Sequence, residues 1–167
     1  MANTIVGPPD PGELRVRMSN GVTSSVVANV AIVASARART PGEIALACAI
    51  GAADQSVFGI GCVGFDVRDL PWSRERIGDF EREKAFLIGA VRGAAAGEAA
   101  EALARPPNLE FISPCLVDFE HLLDTLSLDG VAGRETDVPL LPDSPGERCA
   151  RHGVYLHARG CVVCNEE

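Results

Sequence analysis

Four residues near the carboxyl terminus have a spacing that constrains how that end of the chain can fold. Two residues separate Cys149 from His152, two separate Cys161 from Cys164, and eight lie between the two pairs. A structural metal site with four ligands requires two such pairs, each on a short turn and joined by a hairpin-length spacer. The pattern therefore predicts that residues 148–167 fold around a metal ion.

The types of these residues indicate zinc. Zinc binds thiolates and imidazole in a tetrahedron, and soft sulfur ligands select it over magnesium or calcium. His157 is a rival nitrogen ligand, but it lies inside the spacer and breaks the paired pattern, so we predict His152. Four protein ligands leave no position for a reactive water, which predicts a structural zinc rather than a catalytic one.

The residues around the two pairs also fit a chain that turns around a metal. Gly153 follows the first pair and Asn165 follows the second, and both residue types adopt the left-handed backbone conformation readily. Residues 154–156 predict a short strand inside the spacer. The tail resembles a minimal zinc ribbon, reduced to its two knuckles and one hairpin. This resemblance covers residues 148–167 and identifies no family for residues 1–147.

The composition fits a globular chain with an aliphatic core. Of its 167 residues, 47% are hydrophobic but only 5% are aromatic, so we expect one domain of ordinary size with a small appendage. The net charge of −8 disfavours a general nucleic-acid binder, which usually shows a basic field. The chain has 14 Arg but one Lys, together with much Ala and Gly, which suggests a bacterial source.

The remaining cysteines and the longest apolar run indicate the cellular compartment of the protein. The three cysteines outside the motif lie in apolar surroundings, which favours buried thiols in a reducing cytoplasm, with disulfides as the alternative. Residues 26–36 are similar to the end of a secretory signal, but 25 residues, several of them Pro or acidic, precede them. The uncharged stretch of residues 18–36 is too short and too polar to predict a membrane span. We expect a cytoplasmic protein without a membrane segment.

By composition the chain divides into four segments. Residues 1–12 contain three prolines and predict a flexible arm. Residues 13–127 predict an α+β domain, in which a small sheet packs with helices. Residues 128–147 are rich in Pro, Gly and acids and predict a linker. Residues 148–167 are the zinc-binding finger.

The first half of the domain predicts a hairpin and a helix. Residues 14–18 alternate apolar and charged side chains, as a half-buried strand does, and residues 19–21 are a turn signal. Residues 22–36 are rich in Val and favour a second strand, with a buried helix as the alternative. The Thr-Pro-Gly-Glu start at residues 40–43 predicts a capped helix to about Ala53.

The second half predicts one more strand and two more helices. A central strand is predicted over residues 57–67, and Ser73 predicts the start of the longest helix, which reaches about Leu103. Glycines at every fourth position of that helix (Gly89, Gly93, Gly97) predict close packing against a neighbour and a break near the last one. Residues 109–112 predict a short strand, and Ser113-Pro114 predicts a last helix.

Three further groups of residues are of types that can bind a ligand or take part in catalysis, and each can also be explained by a structural role. Residues 59–64 match G-x-G-x-x-G, but no helix can begin there, which predicts a glycine-rich strand. Cys115 falls in the first turn of the predicted last helix, where the helix dipole lowers the pKa of a thiol and would allow a reactive cysteine; a buried structural cysteine is favoured over that interpretation. His121 lies on another face of the helix and is expected to contact solvent. Asp66 and Asp69 predict a solvated strand end rather than an acidic site.

Taken together, these features favour a non-catalytic bacterial interaction or regulatory protein whose finger presents a surface to a protein partner. The first alternative is a nucleic-acid-associated regulator that uses Arg151 and Arg159 of the finger. The second is a thiol-dependent enzyme that uses Cys115. A saturated metal site favours a protein that is not an enzyme.

Overall fold

A computed structural model describes residues 3–9, 13–53, 64–103, 105–132 and 146–165. These residues form six α-helices and one two-stranded antiparallel sheet, which confirms the predicted α+β class. The strands and helices are β1 Thr4–Pro9, β2 Glu13–Arg17, α1 Asn20–Arg37, α2 Pro41–Ala52, α3 Ile77–Ala95, α4 Leu109–Asp124, α5 Leu128–Val131 and α6 Val162–Asn165. Within these ranges no helix is long and apolar enough to cross a membrane.

Helix α1 occupies the centre of the fold. Every residue from Val26 to Ser35 is buried, and the helix contacts α2, α3, α4 and α6. A helix that is apolar on all sides is stable where neighbours surround it. The strand predicted for residues 22–36 is therefore wrong and the buried-helix alternative is confirmed, because burial on every side outweighs the strand propensity of Val and Ile.

The sheet pairs β1 with β2. Ile5 lies opposite Val16, and both side chains are buried. The strand predicted at residues 14–18 is confirmed, but its partner precedes it in the chain instead of following it. The flexible arm predicted for residues 1–12 is wrong over Thr4–Pro9, because the apolar pair Ile5 and Val6 is buried against the core.

A third segment lies beside β1. The backbone N–H of Val6 donates to the carbonyl oxygen of Phe65 at 2.9 Å, and Val6 forms a parallel bridge with Asp66. A side chain at Gly64 would overlap the backbone of Thr4, so glycine permits this close approach. Residues 57–63 of the predicted central strand, and most of the glycine motif, lie outside the described residues. Val67–Asp69 is a 3-10 turn, which corrects the end of that strand.

Helix α2 begins as the sequence predicts. The hydroxyl of Thr40 accepts the backbone N–H of Glu43 at 3.4 Å, and the Glu43 carboxylate accepts the backbone N–H of Thr40 at 3.0 Å. Pro41 occupies the first helical position. This capping box satisfies two backbone donors that a helix start would otherwise leave unpaired, so the start is fixed by local interactions.

Helix α3 begins later than predicted. Ser73 is not its cap: the backbone N–H and the hydroxyl of Ser73 donate to the buried carboxylate of Glu83 at 2.7 and 2.5 Å, and the helix starts at Ile77. The helix ends at Ala95, close to the break predicted at Gly97 and well before Leu103.

The glycines of α3 allow its close approach to α1. A Cβ atom at Gly93 would lie 2.8 Å from Cγ1 of Val33, and one at Gly89 would lie 3.4 Å from the guanidinium of Arg37. Both neighbours belong to α1. The close packing predicted from the spacing of these glycines is confirmed at these two positions.

Helix α4 begins at Leu109, five residues before the first helical position predicted at Pro114. The side chain of Asn108 caps it by accepting the backbone N–H of Glu110 at 3.0 Å, and Pro114 lies inside the helix. The strand predicted over residues 109–112 is wrong. Leu116, Phe119, Leu122 and Leu123 are buried and turn one face of α4 to the core. Packing of that face offsets the backbone hydrogen bond lost at Pro114.

Part of the predicted linker has regular structure. Helix α5 is one turn long, and the side chain of Ser127 caps it by accepting the backbone N–H of Gly130 at 3.2 Å. Val131 of this turn is buried. Residues 133–145 of the predicted linker lie outside the described residues.

We expect Gly64→Ala to lower the free energy of unfolding by about 1–3 kcal/mol, because the new methyl group forces β1 away from the segment at Phe65. Gly21→Ala, in α1, is the matched control: nothing lies within 4 Å of its Cβ position. Alanine there should leave the stability unchanged or raise it by up to about 1 kcal/mol. Urea denaturation of both variants measures the difference, and equal stabilities would contradict the close approach at Gly64.

Candidate metal centre

The four residues predicted as metal ligands meet in the folded chain. The sulfurs of Cys149, Cys161 and Cys164 and a ring nitrogen of His152 all lie within 4.8 Å of one another. The Nδ1 atom of His152 is 3.7, 3.6 and 3.3 Å from the three sulfurs in that order. The sulfurs of Cys149 and Cys164 are 3.8 Å apart. These four residues can hold a metal ion.

The spacing of these atoms fits a tetrahedron of zinc size. With Zn–S bonds of about 2.3 Å and a Zn–N bond of about 2.05 Å, the edges are about 3.8 Å between sulfurs and about 3.5 Å between sulfur and nitrogen. The sulfurs of Cys149 and Cys164 are 3.8 Å apart, which equals the first value, and the other two sulfur–sulfur distances are at most 4.8 Å. The sulfur–nitrogen distances of 3.3–3.7 Å bracket the second value. The four ligand atoms are therefore close enough together to hold one metal ion.

The first pair sits on a tight turn. The backbone N–H of Gly153 donates to the carbonyl oxygen of Cys149 at 2.8 Å, and the N–H of Cys149 donates to the carbonyl oxygen of Val154 at 2.8 Å. Gly153 has a φ of +66°, the left-handed conformation predicted for it, which residues with a side chain rarely adopt.

The second pair sits at the start of α6. The backbone N–H of Asn165 donates to the carbonyl oxygen of Cys161 at 3.1 Å and closes a single helical turn. Asn165 is part of that right-handed turn, so the left-handed conformation predicted for it is wrong. The turn brings Cys164 back to the same side as Cys161, because residues three apart on a helix are neighbours.

The spacer between the pairs is a hairpin. Arg148 and Tyr155 form one antiparallel bridge, and His157 and Gly160 form another. The backbones of His157 and Gly160 exchange two hydrogen bonds of 3.0 and 2.9 Å. This hairpin returns the chain to the first turn and sets the two pairs side by side, as the zinc-ribbon resemblance implies.

His157 lies outside the cluster. Its side chain is buried, and its ring would contact a Cβ atom at Gly51 of α2 at 3.7 Å. The backbone N–H of Arg159 donates to its Nδ1 atom at 3.3 Å. His152, and not His157, is the histidine that the fold brings to the three sulfurs.

The apolar side of the finger packs on the helices. Val154, Tyr155, Val162 and Val163 are buried in the same core as α1. The backbone N–H of Tyr155 donates to the hydroxyl of Ser35 at 3.0 Å in a buried position. The role of Ser35 was not predicted, since a single serine in an apolar run gives no signal of a partner 120 residues away. The finger is thus attached to the domain by its own apolar face.

The outward side of the finger is polar. Arg151, Arg159 and Cys164 are exposed, whereas Cys161 is buried. The guanidinium of Arg148 lies 4.2 Å from the centre of the Tyr155 ring and donates to the Tyr155 hydroxyl at 2.9 Å. Arg148 therefore covers the outer face of the one tyrosine in the chain.

The three thiols of the cluster affect one another's ionisation. The pKa of Cys149 is lowered to about 6, chiefly because the backbone N–H groups of His152 and Arg151 stabilise its thiolate. The pKa of Cys161 is raised by burial and by the neighbouring sulfur of Cys149. The pKa of Cys164 is raised to about 11 by desolvation of its sulfur within the cluster and by Cys149. Three adjacent thiolates repel one another, and a divalent cation compensates that repulsion.

Cys115 does not lie in the first turn of its helix, where it was predicted to lie. Because α4 begins at Leu109, Cys115 is in the second turn and away from the positive end of the helix. Its pKa is raised by burial and by the charge of Asp118, so the predicted lowering is wrong. His121 is exposed, as predicted.

Asp66 also differs from its prediction. Its side chain is buried, accepts the backbone N–H of Arg68 at 2.9 Å, and forms an ion pair with the Arg68 guanidinium. It caps the 3-10 turn that follows. The solvated strand end predicted for Asp66 is wrong, and its contacts give it a structural role.

Comparisons of this chain with protein-family models, with curated proteins and with solved structures found no match.

We expect zinc binding at pH 7.5 to release about two protons per site, because Cys161 and Cys164 hold their protons at that pH while Cys149 is ionised. Calorimetric titration in buffers of different ionisation enthalpy measures the number released. Since protons compete with the metal, the affinity should fall as the pH is lowered. Cys164→Ser should release about one proton fewer. Zinc binding without proton release would contradict this charge distribution.

We expect Ser35→Ala to lower the free energy of unfolding of the metal-loaded protein by about 1–2 kcal/mol, because the buried N–H of Tyr155 loses its acceptor. Ser25→Ala, on the same helix but half-buried, is the control and should change the stability by about 0.5 kcal/mol or less. Chemical denaturation followed by the signals of Trp72 and Tyr155 measures both. Equal effects would mean that this hydrogen bond does not hold the finger.

Proposed function

We propose that Cys149, His152, Cys161 and Cys164 bind one structural zinc ion, and that the chain is a non-catalytic interaction or regulatory protein of bacterial origin. The observation that carries the zinc assignment is the match between the ligand spacing and a zinc tetrahedron. Three sulfurs and one imidazole are also the donor set that selects zinc over harder cations.

A structural role is supported by the number of ligands. Four side chains of this chain lie within 4.8 Å of one another, and if all four bind the ion they fill a tetrahedron and leave no coordination position for a water molecule or a substrate. The ion then serves to join the two turns of the finger. A thiol-dependent enzyme that uses Cys115 is disfavoured, because the pKa of this thiol is raised rather than lowered and a protonated thiol is a poor nucleophile.

The metal and the docking of the finger support each other. Zinc fixes the two turns and the hairpin, and the fixed finger presents Val154 and Tyr155 of the hairpin and Val162 of α6 to the core beside α1. Without the ion, this short segment lacks enough internal contacts to keep its shape, since metal binding supplies most of the folding free energy of such fingers. We propose that zinc in this way controls whether the carboxyl-terminal end of the chain covers the core.

The packing of the finger limits which of its faces a partner can contact. Its apolar face is occupied by the chain's own helices, and its outward face carries Arg151 and Arg159. These two arginines are what a nucleic-acid contact would use, but the net charge of −8 opposes the approach of a polyanion. Nucleic-acid binding that weakens steeply with salt and is lost in Arg151→Ala plus Arg159→Ala would favour that alternative.

We expect the purified, reduced protein to contain about one zinc ion per chain by elemental analysis. Cys161→Ser should lose the metal and unfold with a markedly lower midpoint, because the buried ligand that joins both turns is gone. Cys115→Ser is the control: it removes a thiol outside the cluster and should retain the metal. A metal-free wild-type protein, or equal metal content in both variants, would overturn the zinc assignment.

A further inference from the structure

Helix α4 carries an apolar row on its outward face. Phe111 is 70% exposed and Val117 is 61% exposed, and the exposed Pro114 lies between them in the sequence. The three residues are spaced by three, so they are neighbours on the helix surface and form one diagonal row, the α4 ridge. Of the three large exposed apolar side chains in the described ranges, the ridge holds two, and Ile77 of α3 is the third.

The charge of α4 is of one sign. Its 16 residues contain four acids and neither Lys nor Arg. Glu110 precedes Pro114 by four positions and Asp118 follows it by four, which places both exposed acids beside the ridge. Asp124 follows Val117 by two turns and is also exposed. The fourth acid, Glu120, is paired with Arg92 of α3 at 2.6 Å.

The ridge is held rigidly from behind. The opposite face of α4, formed by Leu116, Phe119, Leu122 and Leu123, is buried against the core, where the helix contacts α3, α1 and both strands. A partner would therefore meet a preformed surface, and little conformational entropy would be lost on binding.

We propose that the α4 ridge docks a basic amphipathic helix of a protein partner. A row of apolar side chains with a spacing of three fits between the side-chain rows of a second helix, and Lys or Arg beside the partner's apolar stripe would face Glu110 and Asp118. This inference rests on the proposed function as an interaction protein, and it places the contact on α4 because the apolar face of the finger is already packed.

The negative charge of α4 disfavours nucleic acids, anionic membranes and a second copy of the chain as partners of the ridge. Phosphate groups of a nucleic acid or an anionic membrane would be repelled by the acids of α4. A second copy of the chain with its own ridge on the first would set Glu110 and Asp118 against like charges. A basic helix satisfies both the apolar row and the acids that flank it.

The test uses the whole 167-residue chain, purified under reducing conditions, and two labelled peptides. The first is a helical peptide of Leu, Lys and Arg with its leucines on one face, and the second has the same composition with the leucines scattered around the helix. Fluorescence anisotropy should show binding of the first peptide about tenfold or more tighter than the second, with an affinity that falls as salt is raised.

Substitutions locate the binding. Phe111→Ser plus Val117→Ser should weaken the first peptide about tenfold or more, whereas Ile77→Ser, which removes an exposed apolar side chain of α3, should leave its affinity unchanged. Glu110→Gln plus Asp118→Asn should reduce the dependence on salt. Equal binding of the two peptides, or unchanged binding by the ridge variant, overturns the proposal. Self-association of the wild-type protein that is lost in the ridge variant would assign the ridge to a second copy and also overturns it.

The zinc content of the same samples separates the two proposals. If the protein holds zinc but the peptide does not bind to the ridge, the docking inference fails and the structural zinc stands. If the protein lacks zinc but ridge-dependent peptide binding is measured, the zinc assignment fails and the docking surface stands. Because both substituted side chains of the ridge variant are exposed, its helices should stay intact. Far-ultraviolet circular dichroism checks this.

Discussion

The burial of α1 is the constraint on which the rest of the structure depends. This helix is buried along ten consecutive residues, from Val26 to Ser35, and four other helices pack on it. Each fully buried Val, Leu or Ile contributes about 1.5–3 kcal/mol. Small side chains on α1 and the glycines of α3 allow the helices to approach closely, so a core with few aromatic residues still fills its space.

The finger depends on two kinds of interaction that act at different ranges. Within the finger, three sulfurs and an imidazole nitrogen lie within 4.8 Å of one another and could hold a metal ion. Between the finger and the domain, buried valines and the hydrogen bond from Tyr155 to Ser35 attach the hairpin to α1. Because both sets of contacts involve the same few residues, we infer that loss of either would weaken the other.

The parts of the structure that could be predicted are those fixed by neighbours in the sequence. The capping box at Thr40 is an exchange of hydrogen bonds over three residues, and the turn at Gly153 depends on the residue itself. The predictions that failed concern helix starts that are decided by interactions beyond the immediate neighbours in the sequence. Ser73 has the chemistry of a helix cap but is bonded to Glu83, and Asn108 caps α4 although Ser113-Pro114 gave the stronger local signal.

The sequence alone determined which four residues could be metal ligands, because two paired turns and a hairpin-length spacer leave few arrangements for three cysteines and a histidine. It also determined the start of α2 and the half-buried strand β2. Only the tertiary structure decided that residues 22–36 form a helix, that β2 pairs with the segment before it, and that the finger packs on Ser35. The physical reason is that these outcomes are selected by burial against distant segments, whereas hydrophobic content alone is compatible with either a strand or a helix.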